Sequence, residues 1–531
     1  MFAQNHVGET VELDEVEVVA DRVVPRKDGL LIYPRKEELK FAGSGYDVLY
    51  NLMLPSVRVD RDKGTVTRLG QEVTLYIDGQ KADYREIQNI QTRSIARIEY
   101  IDVPSGKYVQ DFAAINIITR NSVAGEYYAV DARQNIGYLK GDYNVTAQFT
   151  RDNMNYQLFA GHAMTDYNNA GSVTNETFQL PGETITRSHR TTDERHKDNH
   201  QYLQFNLRHN AAQRTLGGKL SFVRSATPDN GTARTITYLH PDEAGIASRA
   251  LTDESAYGPA ITLYGNFQLP QRQNLSITLD GAYNRNLYTR DYTEQPNDFR
   301  NYTDAKEHFY NTSLNANYNK QLKNNAVLSA TLMDFYRQSN STYTGTADYR
   351  QQLTTNEAMA WLGYMHSFNR QWMLNAQLGA SWLTYGLKGA KTMSLLSPRA
   401  GVMMRYMPAQ QHALTLNLNA GNSFPTINLL NSIEQSVNSI LVQRGNPSLD
   451  MAKMYNAALV YNLFTKRLNV EAMLIGNIYS SMSVPHYYAE GDKVIRTLRS
   501  DATLHQYLGV LTLTWNAAKN LNLKSELAVL R

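Results

Sequence analysis

Histidine is the first residue type to invite a chemical reading, because the chain has twelve and His189, His196 and His200 fall within one short stretch. Imidazoles at that density could touch a metal chelate or haem. Their spacing matches no fixed ligand pattern, so a hydrated surface loop is the simpler reading. Gly43, Ser44 and Gly45 lack the preceding strand and the Lys-Ser/Thr pair of a phosphate-cradling loop. Asp60 and Asp62 sit at a turn and read as solvated carboxylates. Cysteine is absent, which removes thiol nucleophiles, zinc knuckles and disulfide frameworks together. No catalytic residue, bound metal or cofactor is expected, and no enzyme.

A different chemistry is open to VELDEVEVVADR, residues 11 to 22. Leu13, Val16, Val18 and Val19 are β-prone, while Asp14, Glu15 and Glu17 keep the segment soluble and unpaired. Such a peptide can add as an edge strand to a partner's sheet. By itself it reads equally well as an ordinary edge strand or an acidic arm.

Composition limits what surrounds these residues. The 531-residue chain carries 53 Lys plus Arg against 50 Asp plus Glu, with no basic excess to suit nucleic acid. No run of about 18 apolar residues offers a transmembrane helix. The opening MFAQNHVGET has neither a charged n-region nor an apolar h-region, so the chain is either cytoplasmic or preceded by a signal upstream of residue 1. Tyrosine is abundant, 35 against 15 Phe and 4 Trp, as in the aromatic girdles of membrane barrels.

From about residue 123 the sequence alternates with period two, giving strands with one apolar and one polar face. Tyr143, Val145, Ala147 and Phe149 interleave with Asn144, Thr146, Gln148 and Thr150, and Leu203, Phe205 and Leu207 with Gln204, Asn206 and Arg208. A soluble sandwich or propeller would alternate too, but a propeller should repeat one motif at a fixed period, and none repeats here. Short turns are expected at 151 to 155, 209 to 214, 269 to 274, 320 to 325, 367 to 372, 407 to 412, 463 to 468 and 516 to 521. Between them lie longer polar connections, such as 168 to 197, 226 to 256, 421 to 451 and 483 to 501. Short turns on one rim and long loops on the other describe an outer-membrane barrel with its short side in the periplasm. The first strand, near 126 to 137, then starts on that short-turn side.

Upstream, the segment from Asp47 to Arg120 resembles the plug domain of TonB-dependent outer-membrane transporters. The resemblance is carried by a helix leading into Leu54, Pro55, Val57, Val59 and Asp60, then a strand turning at Asp78 and Gly79. It continues with Ile95, Ile98 and Glu99, the turn at Pro104, Ser105 and Gly106, and a closing strand from Ile115 to Thr119 that includes Asn116. Two departures from the family stand out: Ser56 and Ala114 occupy places where glycine is usual. Residues 421 to 430 (GNSFPTINLL) and the Gly445, Asn446, Pro447, Leu449 motif also resemble the family's barrels, though the usual Pro-Glu pair is replaced near Met451 and Ala452.

The resemblance implies a mainly β protein with an N-terminal mixed α/β plug domain followed by a transmembrane antiparallel β-barrel. Counting by short turns gives about 17 strands, against about 22 in the family's full barrels, so the sequence reads as C-terminally incomplete. The expected divisions are a periplasmic arm over 1–40, the plug over 41–121 and the barrel over 122–531. Residues 13 to 19 would bind the energy-transducing protein TonB. The implied function is energy-coupled import of an iron chelate, cobalamin or glycan across the cell outer membrane, with a surface lipoprotein as a further candidate partner. The alternative is a barrel that binds or signals at the surface without a primary transport role. Ligand-binding residues are not identified by the sequence.

Overall fold

The structure, a computed structural model, describes residues 23–531 apart from 27–28, 103, 105, 110, 121–123, 169, 181, 239–244, 297, 325, 390, 410, 426, 431–432, 466 and 519–520. The TonB-binding segment expected at 13 to 19 therefore lies outside the described residues, as does Ser105.

The N-terminal unit contains strands β1 (Val23–Pro25), β2 (Gly29–Ile32), β3 (Val57–Asp60), β4 (Thr65–Arg68), β5 (Gln71–Glu72), β6 (Thr74–Ile77), β7 (Gln80–Lys81), β8 (Ile95–Ile101) and β9 (Ala114–Thr119). Its helices are α1 (Lys36–Lys40), α2 (Gly45–Leu52) and α3 (Tyr84–Gln88). Six strands form one sheet in the order β1-β2-β8-β9-β6-β7, and β3, β4 and β5 form a second. Its core packs Leu30, Ile32, Leu49, Ile87, Ile98, Ile115 and Ile117. The described residues from 23 to 40, assigned to an arm by the sequence, pack on that core. Those residues form two strands and a short helix whose Leu30, Ile32 and Leu39 are buried in that core.

Capping fixes the helices. Ser44 accepts from the Asp47 amide at α2, and Asp83 accepts from the Arg85 and Glu86 amides at α3 while Glu86 reaches back to the Asp83 amide. Ile87 and Ile90 stand at helical spacing in the stretch from Tyr84 to Ser94, yet the helix is shorter than that stretch. It stops at Gln88 and resumes only as a 3₁₀ turn over Thr92–Ser94.

The rest of the chain is one twenty-stranded, almost wholly antiparallel sheet. Three short strands, Val173–Leu180, Glu434–Ser436 and Leu441–Arg444, belong to excursions, leaving seventeen wall strands, the number the turns implied. All eight expected short turns join paired neighbours, from Arg151 opposite Met154 to Ala518 opposite Leu521. The first wall strand, Ala124–Gln134, enters opposite Arg151 and so starts on the short-turn rim. Among the described residues it does not pair with the last, Leu521–Leu530, so the sheet is open. It nonetheless wraps the plug, which touches Asp142 near one edge and Glu526 near the other.

Side-chain placement separates this wall from a soluble sandwich. Asn144 and Thr146 are 1 % and 2 % exposed, whereas Val145 between them is 52 % exposed. Gln204 and Asn206 are buried while Leu203 and Phe205 face out. The polar set points to the lumen and the apolar set outward, the inversion of a water-soluble core.

Three of the long connections expected from sequence are mostly strand. Glu183–Ala211, Arg214–Tyr238, Ile246–Leu269, Leu468–Glu490 and Lys493–Ala518 run as long paired ladders. Thr, Ser and Arg on both faces suited them to loops by composition, and cross-strand pairing overrides that preference. His189, His196 and His200 accordingly sit on a strand rather than in a loop. His189 meets Glu176 at 3.0 Å and His200 meets Ser225 at 2.8 Å. No group of three metal-ligating side chains occurs among the described residues, and no helix there is long and apolar enough to cross a membrane.

Candidate functional site

Asp78 and Gly79 form the two-residue loop between β6 and β7, both at positive φ, +49° and +78°. A mirror-type hairpin turn requires that pair. A Cβ on Gly79 would strain the positive-φ backbone and, at 2.6 Å from the Lys107 ammonium, would push that side chain aside. The Asp78 carboxylate accepts from the Thr119 amide at 2.8 Å and its hydroxyl at 2.7 Å, tying the turn to the end of β9. It also accepts from Arg208 of the wall at 2.7 Å.

Asn116 accepts from the Gly79 amide at 2.8 Å and donates to Glu99 at 3.0 Å, and Glu99 also pairs with Arg26 at 3.3 Å. Ile98 is fully buried beside them. The motif residues of β6, β8 and β9 therefore converge on one polar knot over an apolar core. Pro104 precedes a 3₁₀ turn over Gly106–Tyr108, whose Lys107 donates to the Gly79 carbonyl at 2.8 Å. Burial lowers the pKa of this lysine to about 8, against the raising effect of Glu99 and Asp111.

The plug meets the wall mainly through polar and ionic contacts, on two flanks. On one, Glu86 accepts from Lys219 at 2.6 Å and Asn206 at 2.9 Å, Tyr84 donates to Asp142 at 3.2 Å, and Arg85 stacks 3.9 Å from the Tyr202 ring centroid. Burial raises the Glu86 carboxyl, and the Lys219 ammonium opposes it. Beside this flank a cavity of about 770 Å³, lined by Asp78, Glu86, Arg208 and Tyr264, reaches the short turns at Asp152 and Asn153.

On the opposite flank, Ser56 donates to Glu471 at 2.5 Å and lies 3.0 Å from the Thr512 hydroxyl. Arg68 faces Glu471 at 3.7 Å, and Arg405 donates to the Arg26 carbonyl at 2.7 Å and faces Asp102 at 3.4 Å. Burial disfavours the Arg68 charge, yet Tyr100, Glu471 and Asp102 outweigh it and raise its pKa. Lys524 donates to the Leu54 and Val57 carbonyls at 2.7 and 2.9 Å.

Ser56 explains one departure noticed in the sequence. Its φ of +47° is the left-handed conformation that glycine adopts without strain. The serine adds a hydroxyl that reaches the wall. Ala114, the second departure, is fully buried at the start of β9 against Tyr76 and Ile101.

Between Ser423 and Ala452 the described residues leave the wall and fold inward as a strap. Arg290 donates to the Val437 carbonyl at 2.7 Å, Asn301 to the Ser436 carbonyl at 2.6 Å, and the Ser439 amide to Glu294 at 3.2 Å. Farther along, Leu441–Gln443 pair in parallel with Val494–Arg496, Asn446 donates to the Leu498 carbonyl at 2.9 Å, and Tyr385 donates to the Pro447 carbonyl at 2.8 Å. Leu430 and Leu449 are buried against Leu353, Leu383 and Tyr385. The Gly445 to Leu449 motif thus folds the strap back onto the inner wall. Sequence reasoning located that motif but not the strap's partners on strands far off in sequence.

Comparison with solved structures now becomes decisive for the fold. The chain superposes on the copper transporter OprC with a TM-score of 0.62 at 10% identity, covering 94% of this chain and 78% of that one. It superposes on the ferric enterobactin receptor PfeA of Pseudomonas aeruginosa with a TM-score of 0.61 at 13% identity, covering 96% and 80%. The siderophore receptor PirA of Acinetobacter baumannii gives 0.55 at 11%, covering 94% and 79%. This is the fold of TonB-dependent receptors. No protein-family model and no curated protein matches the chain, and at these identities the likeness is one of fold. In the receptor fold the N-terminal unit, with both its sheets, is the plug, the seventeen long strands are barrel wall, and the strap is an excursion on the rim opposite the short turns.

Proposed function

We propose that the protein is a receptor of the outer membrane that imports a scarce nutrient with energy supplied through TonB. The observation that carries this reading is the nature of the plug–wall contact. The plug has its own apolar core, to which the wall adds a partly buried Phe464, and one small apolar contact joins the two parts, Leu69 on Val460, Met473 and Val510. Its grip on the wall is a set of side-chain ion pairs and hydrogen bonds on two flanks. Such contacts can be exchanged for water one at a time, whereas a shared apolar core would have to be broken as a unit. A stopper held in this way can be rearranged while the wall stays folded.

The partner that pulls is TonB, engaging residues 13 to 19 as an added strand, with lipid around the outward apolar face and a small ligand in the upper lumen. Copper and siderophore receptors share the fold, which supports a transported ligand without specifying it. Deletion of residues 11 to 20 tests the reading. Energy-dependent uptake should fall to background while surface binding of the ligand persists. Unchanged uptake would instead favour a binding or signalling barrel.

A further inference from the structure

Beneath the strap lies a chamber of about 340 Å³, within the range of about 300–1,000 Å³ typical of small-molecule sites. Its wall comes from three adjacent strands: Asn286 and Tyr288, then Ala305, Lys306 and Glu307, then Ser341 and Tyr343. The strap closes it with Gln435 and Gln443, which lie opposite one another in the hairpin of Glu434–Ser436 with Leu441–Arg444.

Charges near the chamber are already engaged. Arg290 is spent on the Ser436 and Val437 carbonyls. Lys306 pairs with Asp304 at 3.1 Å, and Arg444 pairs with Glu490 and Glu434. Glu307 accepts from Asn286 at 2.6 Å and from Ser339. What the chamber presents is two phenol rings, amides, a hydroxyl, a carboxylate fixed by neutral donors and one ammonium, that of Lys306, already paired with Asp304. Glu294, one oxygen of which is buried without a partner, adds negative potential where the strap crosses.

We infer that the chamber binds a neutral, hydroxyl-rich ligand of saccharide type, and this rests on the receptor reading above. Ring faces of Tyr288 and Tyr343 suit the C–H faces of a pyranose, and amides with one fixed carboxylate suit its hydroxyls. A multiply anionic iron chelate would meet a carboxylate and no uncommitted guanidinium, the reverse of the arginine-rich recognition that anions need.

The test is titration of the detergent-solubilised chain with maltotriose, cellotriose and mannotriose, with a ferric tris-catecholate and with spermidine. At least one trisaccharide should bind. Tyr288→Ala and, separately, Gln443→Ala should each weaken it about tenfold, while Tyr288→Phe, which keeps the ring, should change it less than about threefold. The Gln443 variant alters only the strap, so its effect stands apart from any effect on the wall. Binding of the chelate or spermidine in place of every trisaccharide, or of no probe at all, would overturn the assignment. The receptor reading fails separately, if the bound trisaccharide is taken up equally well by the chain lacking residues 11 to 20.

Discussion

At the scale of single residues, the plug motif was legible because each position has a local reason. Asp78 and Gly79 form a turn that only a positive-φ pair can make, and Asn116 bridges that turn to Glu99. Lys107 was not singled out by sequence, because its burial comes from folding the Gly106–Tyr108 turn over Gly79 and Tyr76. Its lowered pKa carries a sign. Between pH 8 and 10.5 the unfolded plug binds a proton that the folded plug does not, so stability rises across that window and is flat in this respect below it. Urea-induced release of the plug, followed by protease sensitivity, should shift to higher urea as pH is raised through this range. Lys107→Met should abolish that shift, and an undiminished pH slope in the variant would exclude Lys107 as its source.

At the scale of elements, the wall strands and the short turns were read correctly from period-two alternation and turn residues. Alternation is a property of the strand itself, and a one-residue slip would turn every apolar side chain into the lumen. Long connections were misread because Glu183–Ala211 and Arg214–Tyr238 owe their extended form to each other and not to composition. The strap was invisible for the same reason: Arg290 and Tyr385, which hold it, are far from it in sequence. Its anchor can be cut at one point. Leu449→Ala should remove about 2–5 kcal/mol of packing from the small core around Leu430 and Tyr385. Limited proteolysis should then cleave within 424 to 451 while the wall strands stay protected. Protease resistance equal to the parent would mean that the hydrogen bonds to Arg290, Asn301 and Leu498 suffice to hold the strap.

At the scale of the whole molecule, the two parts are built on opposite rules. The plug buries its apolar residues inside, and the wall turns its own outward and offers polar groups to the plug. Their meeting surface is therefore mainly polar, and under the proposed function this would let the stopper move within a rigid frame. Sequence could announce both parts through motif and alternation, but not which polar groups pair across them, since Glu86 and Lys219 or Ser56 and Glu471 meet only through the fold.

The central claim, that transport requires the plug to move against the wall, is tested most directly by a reversible tether. Ser56 and Thr512 face each other with hydroxyl oxygens 3.0 Å apart, and the chain has no cysteine to interfere. In Ser56→Cys with Thr512→Cys, the oxidised form should bind ligand at the cell surface yet import none, and a reductant should restore import. Import by the fully cross-linked receptor at the rate of its reduced form would contradict the account.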